Sequence, residues 1–208
     1  MRWLPLRVIF TRYAVAWAYL GLFVLTSVVC HALPGSGRAA VISWASTSVH
    51  NLEHHPAGSL TGSAFVAQDA VAAWPVLIAL AMFGANRALG NLRTAVVCAA
   101  GQIVGTLVSE GIVGYRVAHG QLPAADRYLI DVGPSYVVVA AIVIALLLGS
   151  WPARVAAGID LILLIAVGNI FGGLASLQVS AVGHVTAMAV AGAGLLLRRQ
   201  AAQPRPAA

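Results

Sequence analysis

The chain has 208 residues, 60% of them hydrophobic against roughly 45–50% in soluble domains, and a mean hydropathy of +0.89. That excludes an ordinary soluble domain and points to a protein embedded in a lipid bilayer. All twelve basic residues are arginine and six acids oppose them, giving a net charge of +6. The arginines sit at the ends of apolar runs without interleaved aromatics, which excludes a nucleic-acid surface and favours a role in membrane topology.

In chain order, residues 1–12 read as a cytoplasmic N-terminus. Six apolar runs follow, near 13–33, 71–90, 94–117, 134–150, 153–175 and 178–197. A hydrocarbon core of about 30 Å needs about 20 helical residues, so these runs predict an all-α, polytopic bundle of six transmembrane helices within 13–197. The first run ends in "CHA", like a signal-peptide cleavage site, but exceeds the usual apolar core of about 7–15 residues and is expected to stay in place. Cys30 and Cys98 fall in runs that approach opposite faces, so no disulfide is expected.

With the N-terminus inside, Arg2, Arg7, Arg12, Arg87, Arg93, Arg154, Arg198, Arg199 and Arg205 are internal, and Arg38, Arg116 and Arg127 external. The bias predicts cytoplasmic N- and C-termini in the plasma (inner) membrane. Residues 198–208, "RRQAAQPRPAA", read as a disordered cytoplasmic tail. Two long connections, about 34–70 and 118–133, then face outward. The first carries Ile42, Ala45, Val49 and Leu52 at helical spacing and Trp44 as an interfacial anchor, which predicts a helix lying on the outer leaflet.

Between the second outer connection and the fourth run stands "DVGPSY". Proline suits the first helical position and disfavours α conformation at Gly133, so the fourth helix starts at Pro134 with Ser135 in its first turn. There, backbone N–H groups lack helical partners and the helix dipole is positive, a setting for an oxyanion. A serine nucleophile needs a base, and His184 is the one histidine inside a late span. Ser135 lies about 24 Å above Trp151 and His184 about 21 Å above Arg198, at closely similar depth. Gly183, Ala187, Ala191 and Gly194 give the His184 helix a small-residue face that permits close approach.

A serine starting the fourth span, a histidine in the sixth, and a semi-embedded first outer loop together resemble the rhomboid intramembrane serine proteases over about 35–197. The family's Gly-x-Ser-Gly is matched by Gly133-Pro134-Ser135-Tyr136, and its His-x-x-Gly-x-x-x-Gly by His184-x-x-Ala187-x-x-x-Ala191. "FGANRALGNLR" resembles the family's link between second and third spans. The resemblance implies Ser135 and His184 as catalytic dyad, no cofactor, and a single-span membrane protein as substrate. Gly133 and Tyr136 would support the oxyanion site. The family's second-span His-x-x-x-Asn is absent from "AFVAQDAVAAWP", where Gln68 is the donor available, and Val139 stands where the family places an aromatic. The resemblance therefore also admits a catalytically inactive member that binds transmembrane helices.

Two further patterns compete. "HNLEH" places His50, Glu53 and His54 at the spacing of a zinc-binding helix, but Pro56 ends that helix and no third ligand follows, so no metal is assigned. Glu110 and Asp160 lie within spans and are costly unless paired or hydrated, which admits a small-solute transporter that uses them.

Overall fold

The computed structural model describes residues 10–201 and is all-helical, with no strand among them. The first membrane-length helix, α1, spans Ala14–Ala32. Three short helices follow: α2 (Gly35–Ala45), α3 (Val49–His54) and α4 (Pro56–Ser63). Next come α5 (Trp74–Leu89), α6 (Asn91–Ala118), α7 (Ser135–Leu148), α8 (Trp151–Ala166) and α9 (Val179–Ala201). Helices α1 and α6 and the Val179–Leu197 part of α9 are long and apolar enough to cross a membrane, whereas α5 and α7 are shorter apolar helices.

Helix α7 is the axis of the bundle. It is apolar on every side, as a helix at the core of a bundle can be, and it packs against α5, α6, α8 and α9, with Tyr136 to Ile142 all buried. Close approach depends on small residues. A Cβ on Gly101 would lie 2.9 Å from Ala140 Cβ, and one on Gly105 would lie 3.0 Å from the Gly183 carbonyl, so α6, α7 and α9 meet backbone to backbone. The small face of the sixth run is used as its pattern suggests: Ala187 and Ala191 are fully buried. By contrast α1 buries only Ala16 and Phe23 and presents most of its apolar surface outward, as a peripheral helix in lipid does.

Helix α1 is fastened by two asparagines from the turn that joins α5 to α6. Asn86, 1% exposed, accepts a hydrogen bond from Ala16 N at 3.1 Å and donates to the Arg12 carbonyl at 3.3 Å and to Asn91 Oδ1 at 3.0 Å. Asn91 accepts from Val15 N at 3.3 Å and donates to the Thr11 carbonyl at 2.8 Å. The first-turn N–H groups of α1, which have no helical partner, are thereby answered by side chains.

The first connection differs from the single surface helix its spacing predicts. It breaks into α2, α3 and α4 because Ser46 and Ser48 take extended backbone, and Pro56 opens α4 from its first position instead of merely ending α3. Ser48 caps α3 by accepting from Asn51 N at 3.3 Å. The fifth helix also stops earlier than the expected 175, at Ala166. Beyond it Asn169, Gly173 and Leu177 adopt left-handed backbone, and the chain turns back through a short 3-10 helix, Leu174–Ser176. Arg116 at the end of α6 ties this turn down, donating to the Ser176 carbonyl at 3.0 Å. Cys30 and Cys98 are free thiols. Arg2, Arg7, Arg205 and most of the tail lie outside the described residues, and nothing is described of the side chains of Arg198 and Arg199.

Candidate active site

The segment before α7 is pinned to the first connection before the helix begins. Thr47 N donates to the Asp131 carbonyl at 2.9 Å, Asp131 N donates to Ser46 Oγ at 3.0 Å, and Gly133 N donates to the Ser63 carbonyl at 3.0 Å. Gly133 has φ +154°, a conformation that disfavours side chains, and lets the chain swing from this pairing into α7. Ser135 is the first residue of α7 and is half-buried. The first N–H group of this helix to find a carbonyl is that of Val138, on the Pro134 carbonyl at 2.9 Å. Those of Ser135, Tyr136 and Val137 precede it and have no helical carbonyl partner.

His184 sits one turn into α9 and is 2% exposed. Its Nδ1 lies 3.0 Å from the Ile170 carbonyl and 3.4 Å from Ser180 Oγ. A carbonyl only accepts, so Nδ1 carries the proton and Nε2 the lone pair. Nε2 is buried and has no hydrogen-bond partner. Ile170 belongs to the turn after α8, so the fold of that turn sets the tautomer of a histidine on α9.

The α7 side chain that reaches the ring is Tyr136. It stands edge-on to the imidazole, centroids 5.1 Å apart at 85°. Its hydroxyl lies 3.1 Å from Asp131 Oδ2 and 3.3 Å from the Val179 carbonyl. Thr47 Oγ1 also reaches Asp131 Oδ2, at 3.2 Å. Burial pushes the Asp131 carboxyl above its ordinary range, against the pull of the Tyr136 and Thr47 hydroxyls. Between α7 and α9 the tyrosine fits only because residue 183 is glycine. A cleft of about 500 Å³, lined by Arg116, Asp126, Asp131 and Ser180 among others, opens beside this cluster.

Among the described residues, no hydrogen bond joins Ser135 to His184, and none joins Gln68 to either; Gln68 is exposed in the segment before α5. Ser135 and His184 lie on two helices that pack together, with Tyr136, the neighbour of the serine, in contact with the histidine.

A family model described as rhomboid-like protein matches residues 10–203. The chain belongs to the rhomboid-like family. Neither the comparison with curated proteins nor that with solved structures gave a match. The rhomboid-like chain is thus a helical membrane protein, and its family membership was legible in the Gly133–Tyr136 and His184–Ala191 motifs.

The remaining sequence candidates in the rhomboid-like chain fall elsewhere. Glu53 pairs with Arg127 Nη2 at 2.6 Å through Oε1, and the guanidinium holds its carboxyl below the ordinary range. His54 Nδ1 turns to the His50 carbonyl at 2.7 Å, and the two rings stack at 4.2 Å. No group of three or more His, Cys, Asp or Glu that could hold a metal occurs among the described residues. Glu110 is 2% exposed on α6, facing Asp131 and the Val49 backbone N–H, while Asp160 is fully buried on α8 with carboxyl oxygens that lack hydrogen-bond partners among the described residues. Sequence reasoning missed the Ile170 carbonyl, since a backbone acceptor leaves no residue signature. It also missed the asparagine clasp, although two asparagines flanking the α5–α6 turn were a visible signal.

Proposed function

We propose that this rhomboid-like protein is an intramembrane serine protease that cleaves single-span membrane proteins. Six spans with both termini in the cytoplasm, in the plasma membrane, complete the reading, with α5, α7 and α8 as the three spans shorter than about 18 residues. The observation that carries it is His184: a buried imidazole whose Nδ1 proton is committed to the Ile170 carbonyl and whose Nε2 lone pair is unclaimed. That is the tautomer a general base requires. Ser135 Oγ attacks the scissile carbonyl as its proton passes to Nε2, and His184 returns the proton to the leaving amine. Water, deprotonated by Nε2, then attacks the acyl–serine ester, releasing the carboxyl product and returning the proton to Ser135. Backbone N–H groups in the first turn of α7 receive the oxyanion. Tyr136 and Gly133 support the site by fixing the ring and the start of the helix. Catalytic hydrogen bonds commonly tighten only with substrate bound, so the Ser135–His184 bond forms on engagement.

A serine-directed fluorophosphonate tests the reading. Wild type labels, and Ser135→Ala and His184→Ala do not; equal labelling of wild type and Ser135→Ala overturns it.

A second reading is favoured by the absence of that hydrogen bond and of the His-x-x-x-Asn pair from "AFVAQDAVAAWP": a non-catalytic member that binds transmembrane helices. It expects client capture without cleavage, unchanged in Ser135→Ala. A transporter reading would rest on Glu110 and Asp160, buried carboxyls on α6 and α8.

A further inference from the structure

A cavity of about 260 Å³ lies between α1, α4 and α6. Its walls are apolar, including Val15, Leu60, Met82 and Val137, and one polar side chain, Gln102, is buried among them at 4% exposure. Gln102 lies eleven residues along α6 from Asn91, about 16 Å, within the hydrocarbon depth. Its hydrogen bonding is half complete. Ser63 Oγ donates to the Leu60 carbonyl and so accepts from Gln102 Nε2 at 3.0 Å, which fixes the amide orientation. Gln102 Oε1 is left buried with no partner.

The other lining hydroxyls cannot donate to it. Tyr19 gives its proton to the Ala64 carbonyl at 2.7 Å, and Thr61 gives its proton to the Ala57 carbonyl at 2.6 Å. Tyr19 and Thr61 keep acceptor lone pairs and Cys98 a weak thiol, but Gln102 Oε1 is the one lining oxygen, among the described residues, that is buried with no hydrogen bond at all. A buried acceptor without a donor is costly, and an apolar space of about 150 Å³ already suffices for benzene.

We propose that this cavity binds a lipid-soluble molecule from the bilayer that carries a hydroxyl, its chain lying between α1 and α6 and its O–H donated to Gln102 Oε1. The apolar walls select the chain, and the single acceptor selects the donor. The lining shares no residue with the His184 cluster, while Val137 and the Ser63–Gly133 pairing bring it close to the start of α7, and binding there does not depend on proteolysis.

The test uses the full chain in lipid nanodiscs and a diazirine-bearing octanol as photoprobe. Labelling is read on the 95–103 segment, with 1-octanol or its methyl ether as competitor at equal membrane mole fraction. The ether keeps the chain and loses the donor. In wild type the alcohol displaces the probe about tenfold better than the ether, the worth of one hydrogen bond to an otherwise unpaired acceptor. In Gln102→Leu the two competitors become equal while the ether still competes, which reports an intact cavity. Ala99→Leu fills the space, leaves Gln102 in place and removes most of the labelling. Equal displacement by alcohol and ether in wild type, or full labelling of Ala99→Leu, overturns the proposal. Should Gln102→Leu not fold, those two measurements decide it.

Discussion

The Tyr136 hydroxyl occupies the volume that any side chain on residue 183 would need: a Cβ on Gly183 would overlap it. The tyrosine that braces His184 and the glycine beside that histidine are therefore one structural unit. Gly183→Ala forces the ring out of its place and costs about 1–3 kcal/mol, typical of overpacking. In Gly183→Ala/Tyr136→Ala the clash is absent, so the double variant is more stable than the sum of the single effects. Thermal unfolding of the four proteins in detergent measures the coupling.

Ser135 makes no side-chain hydrogen bond in the structure and is half-buried. Ser135→Ala therefore leaves stability within about 0.5 kcal/mol of wild type. A melting temperature equal to that of wild type, together with lost fluorophosphonate labelling, separates loss of the nucleophile from loss of fold.

Asn86 answers one donor of α1 and serves two acceptors from a site 1% exposed. Asn86→Ala leaves Ala16 N and the Arg12 carbonyl unpaired and costs about 2–4 kcal/mol, at roughly 1–3 kcal/mol per orphaned buried group with partial relaxation. Limited proteolysis should expose the connection after α1 in the variant before the rest of the bundle opens; simultaneous loss of all helices would contradict this.

Burial raises the folded-state pKa of Asp131, in the connection before α7, while Tyr136, Thr47 and the Glu110 carboxyl face it. An acid with a raised folded pKa binds its proton more tightly in the folded state. Its ionisation therefore destabilises: stability is greatest below the unfolded value near 4 and falls as pH rises toward the folded value. Asp131→Asn keeps an acceptor for Tyr136 and removes the titration. Melting temperatures across this acid range should fall with rising pH in wild type and fall less in Asp131→Asn.

The sequence resolved what hydropathy and rare residue types encode. The three membrane-length helices follow from uninterrupted apolar length, and the motifs at Ser135 and His184 from polar residues in otherwise apolar surroundings. The start of α7 at Ser135 followed from Pro134, one residue from the predicted position. What escaped depends on contacts between distant segments. The breaks at Ser46–Ser48 are stabilised by Asp131 and Leu129 more than eighty residues away, so local helical spacing could not reveal them. The early end of α8 depends on left-handed Asn169 and Leu177, residues that local propensity does not place there. Tyr136 was visible as a neighbour of the serine, but its contact with His184 required the crossing of α7 and α9.

The asparagine clasp also dictates an order of assembly. Helix α1 is synthesised first, yet the side chains that answer its first-turn N–H groups lie about seventy to seventy-six residues downstream, at Asn86 and Asn91. At roughly 5–20 residues per second, α1 waits on the order of 4 to 15 seconds before those partners exist. The bundle thus closes backward, α5 and α6 securing α1, and a chain interrupted before residue 86 holds α1 without its asparagine clasp.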